Sequence, residues 1–269
     1  MSETDVTSLD GFRPADDRHG DAPEIPIVYR DDEIVVVHKP AGILCHRGMG
    51  ASAHEPFLLQ MVRDLTGRWV YPPHRLDRPT CGLVVFTFAS ETCHTMQSDW
   101  QTGSVRKTYH AIVRGWMPAN EGIRDEALDS PDNGALQDAV TRWRELDRCT
   151  VPLPMGPHQC ARFSLQELEP ITGRWHQLRR HFSRMQHPIG GDTTHGDRHT
   201  NHFLQAHFGW WRLMLWARTL SFPHPVTRQE MSFVDLESRG TKPFWDTLKA
   251  TQQARSDAMD STSPKIGIG

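Results

Sequence analysis

The chain has 269 residues, 30 Lys and Arg against 33 Asp and Glu, a formal net charge of −3 and a mean hydropathy of −0.56. That length suits one large domain or two small ones. No run approaches the ~18 apolar residues of a membrane-spanning helix, and the N-terminus lacks the basic start and apolar stretch of a secretory signal. Five cysteines (Cys45, Cys81, Cys93, Cys149 and Cys160) are scattered without a C-x-x-C pair. They argue against a disulfide framework or a cysteine zinc site and for a cytoplasmic protein with reduced thiols.

In chain order, residues 1–24 hold seven acids and two arginines, net −5, and predict an acidic disordered leader. A folded domain is expected over 25–250, and a flexible tail over 251–269. The apolar runs Ile34–Val37 and Leu83–Phe86 predict strands. Phe57, Leu58, Met61, Val62 and Leu65 recur at helical spacing, and Ser90 reads as the N-cap of a helix ending near Gly103. Residues 121–138 are acidic, with six acids against Arg124, and read as a loop. Strands follow at 105–114, 140–146, 161–169 and 213–222. Residues 175–187 predict a helix burying Trp175, Leu178, Phe182 and Met185, with its arginines and histidines on the other faces. The stretch around His195 and His199 reads as loop. Strands outnumber helices in an irregular order, which favours α+β over a doubly wound α/β fold.

Charge is distributed unevenly. Residues 174–218 carry seven arginines and two aspartates, net +5, with seven of the chain's 16 histidines. Of the 30 basic residues, 25 are arginine, the side chain suited to forked phosphate contacts and to stacking on bases. Without the leader, residues 25–269 carry a net +2. The sequence thus predicts a cleft with positive walls on an otherwise acidic surface.

Three constellations carry possible chemistry. In His74–Gly82, Asp77 lies between Arg75 and Arg78, whose guanidinium groups favour its ionised form. Such a carboxylate can act as a nucleophile or steady a cation; a structural salt bridge is the alternative. In Thr172–His181, a turn enters the basic helix, where Arg174, His176 and Arg179 can meet an anion; a solvated helix face is the alternative. In Lys107–Gly115, Tyr109 offers an aromatic face on a strand, or fills the core. The histidines form no H-E-x-x-H pair, so no metal is expected. A histidine-bound metal hydrolase stays an outlying reading. Neither a Gly-rich phosphate loop nor a G-x-S-x-G elbow occurs.

Together, H-R-L-D-x-x-T-x-G, K-x-Y-x-A-x-V-x-G and T-G-R-x-H-Q-L-R-x-H resemble, in that order, the signature of RluA-type pseudouridine synthases. Val37–Gly42 is similar to the family's V-N-K-P-x-G turn, and His187–Asp192 to its H-P-I-x-G-D. The resemblance spans roughly residues 25–236. It implies an α+β catalytic domain with a large mixed or antiparallel central sheet flanked by helices and loops. It also implies an RNA isomerase, without cofactor, membrane or obligatory protein partner. The family's catalytic aspartate falls on Asp77, its base-stacking tyrosine on Tyr109, and the arginine paired with the aspartate on Arg179. Arg75 matches the arginine that enters the RNA stack when the target is flipped out, while Arg174, His176 and Arg180 would position phosphate or serve the structure. His46-Arg47, Ala139–Thr141, Asp192–Asp197, His207–Gly209 and Arg212–Leu215 point within the family to members acting on uridine-65 of tRNA. A ribosomal-RNA enzyme is the alternative. A non-catalytic RNA-binding module would not need the intact Asp77, Tyr109 and Arg179 set. Three positions depart from the family pattern: Cys81 for Ser, His38 for Asn, and Trp216 for His.

Overall fold

The computed structural model describes residues 23–46 and 57–261, with side chains to 254. Most of the expected leader and Arg47 lie outside the described residues. The strands are β1 (Ile27–Arg30), β2 (Ile34–Lys39), β3 (Cys81–Thr87), β4 (Arg106–Arg114), β5 (Glu121–Asp125), β6 (Leu128–Asp129), β7 (Leu136–Gln137), β8 (Val140–Val151), β9 (Ala161–Pro170), β10 (Leu215–Pro223) and β11 (Glu230–Val234). The helices are α1 (Leu58–Thr66), α2 (Ser90–Gln101), α3 (Gln177–Arg184), α4 (Arg198–Phe208) and α5 (Lys242–Ser261).

One sheet runs β1-β2-β3-β10-β4-β9-β8-β5, with β11 also on β10. Every pairing in it is antiparallel except β3 with β10, so the sheet is mixed and the fold is α+β. The β2 and β3 runs are buried along their whole length, as strands covered on both faces are. Val35, Val37, Val84 and Phe86 pack with Leu58 and Val62 of α1. Ile34, Val36, Leu83 and Val85 pack with Met96 of α2, the period-2 alternation of a pleated strand.

The parallel contact between β3 and β10 is short, pairing Trp216 with Cys81 and Ala217 with Gly82. Gly82 has φ 118°, and a Cβ there would strike the Ala217 backbone, so only glycine allows this approach. Ala217 also pairs with Tyr109 on β4. The register therefore sets Tyr109 two strand spacings, about 10 Å, from the loop that opens β3. Tyr109 packs against both large cores, one beneath β4, β8 and β9 and one beneath α1. The seam between the two halves of the sheet runs past this tyrosine.

Several expectations are corrected. The acidic stretch 121–138 is not a simple loop, since it holds β5 and the β6–β7 pair. Residues 198–208 form α4, capped by Asp197, whose carboxylate accepts from the Thr200 amide at 2.9 Å. The Asp197 cap starts a helix here where the preceding stretch reads as loop. Ser90 is the first residue of α2 and Ala89 its cap. The boundary expected at 250 falls inside α5, which buries Phe244, Trp245 and Leu248 against the larger core. The largest difference is α3. Besides Leu178 and Phe182, it buries Gln177, Arg179, Arg180 and His181, so the polar faces are largely buried and only its end, at Arg184, is exposed. Buried polar groups are tolerated when each finds a partner, and each of these does.

Candidate active site

Asp77 stands on a loop fastened from two sides. Lys39, fully buried, donates its three ammonium protons to the carbonyls of Pro40 (2.9 Å), Arg78 (3.0 Å) and Thr80 (2.8 Å). That uses every donor the group has. Burial pulls its pKa down to about 8. The Gly42 amide donates to the Arg78 carbonyl, and Arg78 Nε donates back to the Gly42 carbonyl, each at 2.9 Å. On the other side, His74 stacks on Trp100 at 4.5 Å and its Nε2 accepts the Val85 amide proton. Burial lowers the His74 pKa to about 3, so the ring is neutral and free to accept. Leu76 is buried in the core, and the Asp77 side chain stays 30% exposed.

The charge facing Asp77 comes from α3 rather than from its sequence neighbours. Arg179 Nη1 donates to Asp77 Oδ2 at 3.3 Å, and His176 Nε2 lies 3.7 Å from the same oxygen. Arg75 is exposed at the rim. Arg179 is held by Asp192, whose two oxygens accept from Nε and Nη2 at 2.8 Å each. Asp192 also accepts from the amides of Thr194 (2.9 Å) and His195 (3.0 Å). Burial opposes its charge, yet Arg179 and these amides hold its carboxyl below the usual range. Gly191 (φ 74°) lets this segment pass against Arg212, whose backbone a Cβ would strike. His176, at the start of α3 with φ 50°, bonds His195 at 2.9 Å and stacks on Trp175 at 3.9 Å. Burial brings its pKa down to about 4, with Asp77 opposing the shift.

Gln177 ties the turn before α3 to the sheet. Its amide oxygen accepts from Thr172 (2.6 Å) and the Arg174 amide (3.0 Å), and its nitrogen donates to Val140 and Thr141. Arg174 Nε donates to the Asp138 carbonyl at 2.8 Å. All six residues singled out from the sequence, Arg75, Asp77, Tyr109, Arg174, His176 and Arg179, line one cavity of about 170 Å³. Lys107 and Leu215 also stand in its wall. Burial and the Asp77 carboxylate both push the Tyr109 phenol above its ordinary value, so it carries its proton at neutral pH. The sequence motifs point to Gln177 as a donor toward an anion, whereas its side chain braces the turn; they assign no role to Lys39 or Asp192.

Two departures from the family pattern prove to be one feature. His38 Nδ1 lies 2.6 Å from Asp235 Oδ2, and Trp216 Nε1 donates to that same oxygen at 2.7 Å. The third, Cys81, accepts from Arg212 Nη2 at 3.2 Å. Among the described residues, no group of three or more His, Cys, Asp or Glu could hold a metal ion. No described helix is long and apolar enough to cross a membrane.

Comparison with known proteins agrees with this geometry. The RNA pseudouridylate synthase family matches residues 33–184. Proteins named tRNA pseudouridine synthase C are similar over most of the chain. The one from Vibrio cholerae is 42% identical, covering 77% of this chain and 88% of that protein. The one from Haemophilus influenzae is 40% identical, covering 83% and 96%. That from Pectobacterium carotovorum is 40% identical over 82% of this chain, which spans only 60% of that longer relative. Among solved structures, human RNA pseudouridylate synthase domain containing 1 shares the fold, with TM-score 0.67 and 22% identity over 87% of this chain and 89% of its own. Human RNA pseudouridylate synthase domain containing 4 follows at TM-score 0.59 and 26% identity, covering 78% and 88%. A match over more than half its length, with relatives this similar, makes this chain a member of the RNA pseudouridylate synthase family.

Proposed function

We propose that this chain isomerises a uridine of tRNA, uridine-65, to pseudouridine in the cytoplasm, with Asp77 as the catalytic carboxylate. The observation that carries the reading is the cavity itself, where one part-exposed carboxylate meets a locked guanidinium and a protonated tyrosine. The reaction breaks the N1–C1′ bond, turns the uracil and rejoins it through C5. Asp77 begins it by bonding ribose C1′ or by taking the C2′ proton. Both routes place this carboxylate against the ribose, where Arg179 holds it from the far side. The proton lost from C5 is balanced by the one gained at N1, so nothing is oxidised or reduced.

Tyr109 offers its ring to the uracil. Clefts of about 300–1,000 Å³ enclose drug-sized ligands, so a cavity of about 170 Å³ takes the base and leaves the rest of the nucleotide at the mouth. Extruding a stacked, paired uridine costs a few kcal/mol. Arg75 fills the gap left in the stack, and Arg174 and His176 face the backbone around the mouth. The relatives named tRNA pseudouridine synthase C support tRNA as the substrate.

The test uses unmodified tRNA carrying tritium at uridine C5, with pseudouridines then mapped. Wild type is expected to release tritium and to modify one site in tRNA. Asp77→Asn is expected to bind the same tRNA and release none. Full release by Asp77→Asn overturns the assignment of Asp77, and modification of ribosomal RNA alone reassigns the substrate. Arg75→Ala is expected to slow turnover more than it weakens RNA capture; equal effects would reduce Arg75 to a phosphate contact.

A further inference from the structure

A second cavity, of about 580 Å³, meets the first at Asp77. Its wall carries two tryptophans, Trp175 and Trp211, each 39% exposed. Trp175 is fixed by its stack on His176, with the rings 18° from parallel. Trp211 follows Trp210, which is only 3% exposed, stacks on Phe208 at 4.5 Å and meets Phe244 edge-on at 4.9 Å. The buried indole anchors the short link between α4 and β10, and the second indole is thereby presented at the cavity. Two large aromatic faces held by rigid neighbours lose little conformational freedom when a flat ligand stacks on them.

The charges around these rings fit an anionic chain. Arg75, Arg78 and Arg212 line the same cavity, and among the described residues its one lining carboxylate is Asp77, which Arg179 already pairs. A volume of about 580 Å³ lies within the range of about 300–1,000 Å³ that encloses a drug-sized molecule, enough for a whole nucleoside. Aromatic platforms beside arginines are how proteins hold single-stranded nucleic acid.

We propose that this cavity is a nucleobase subsite. It takes the base of a nucleotide flanking the target uridine, stacked against Trp211 and Trp175, with the adjoining phosphate facing Arg78 and Arg212. The inference rests on the reading that the target uracil enters the smaller cavity. It adds that a neighbouring base also leaves its stack, so the enzyme grips two nucleotides across Asp77.

The test measures kcat/KM on unmodified tRNA transcripts with either the native base or an abasic residue at each position flanking the target. Base–aromatic stacking sets the scale, so Trp211→Leu is expected to lose about tenfold or more on the intact transcript, and Trp211→Phe far less. On the abasic transcript, wild type is expected to fall to the level of Trp211→Leu, and the two enzymes to become alike. The proposal is overturned if Trp211→Leu stays within about twofold of wild type on intact RNA, or if it loses as much on abasic RNA as on intact RNA. Should Trp211→Leu fail to fold, Trp175→Leu is read on the same transcripts against the same outcomes. If wild type forms no pseudouridine at all, the functional reading fails instead. The subsite is then read from transcript affinity, where equal binding by wild type and Trp211→Leu overturns it.

Discussion

The two ends of α3 carry arginines under opposite conditions. At the N-terminal end, Arg179 and Asp192 are both almost wholly buried, and the guanidinium keeps one Nη1 for Asp77. At the C-terminal end, Arg184 meets Glu126 at 2.8 Å and Asp129 at 3.5 Å, with all three side chains about a third or more exposed. Between them, Arg180 donates to the Asp129 carbonyl at 2.9 Å and pairs with the Asp129 carboxylate, while His181 Nε2 lies 3.0 Å from the Glu126 carbonyl. The acidic 121–138 stretch and the basic 174–218 block, separate in the sequence, are therefore joined face to face. A segment's net charge does not measure the potential it presents. Part of the +5 block is neutralised where it lies, and the positive walls of the cavity come from Arg75, Lys107 and Arg174.

If the N-terminal end depends on burial, Asp192→Asn is the substitution that breaks it most. Removing one partner of a buried ion pair costs about 3–5 kcal/mol, because the other charge is left stranded. Urea unfolding is expected to show a loss of that order, and activity to fall with it as Arg179 loses its orientation. The folded Asp192 carboxyl titrates below its unfolded value of 3.8. Its contribution is therefore fully present above that value and is lost as pH falls through the lower folded pKa. Asp192→Asn is expected to remove this acid limb. A loss under about 1 kcal/mol would mean that burial adds nothing to this pair.

His176 gives a smaller test of the same end. Its pKa is lowered from 6.5 to about 4 by burial, against the opposing pull of Asp77. Between those values the unfolded chain binds a proton that the folded site refuses, so stability falls as pH drops across the window. His176→Asn is expected to flatten that slope, measured as urea midpoints from pH 7 to 4. His74, lowered to about 3, continues to contribute over its own wider window. An unchanged slope would show that His176 is not the group refusing the proton.

How far the sequence disclosed this follows from where each signal lies. The strands at 34–37 and 83–86 were legible because both faces are buried and the apolar run is unbroken. Asp77, Tyr109 and Arg179 were legible as motif positions, though not their meeting, which depends on β3, β10 and β4 lying side by side. The burial of Arg179, Arg180 and His181 was not legible. A helical stripe counts apolar residues, and these three are buried by partners remote in sequence: Asp192, Asp129 and Thr141. The link between His38 and Trp216 was hidden for the same reason, since the carboxylate they share, Asp235, looks unremarkable in its own stretch.

The C-terminal end of α3 supplies the two smallest effects. Glu126→Gln with Asp129→Asn removes the neutralising carboxylates, and the uncovered arginines add to the field that RNA meets. Affinity for tRNA is expected to rise about three- to tenfold at 50 mM salt, with the gain shrinking by 200 mM as screening grows. Unchanged affinity would place this end of the helix away from the RNA path. Arg184→Ala addresses stability alone. Exposed pairs are worth about 0–1 kcal/mol, because water already solvates both charges and holding long side chains costs entropy. The urea midpoint is therefore expected to move very little. A cost near that of Asp192→Asn would mean that α3 behaves as one ionic unit from end to end, and that its two ends do not differ in kind.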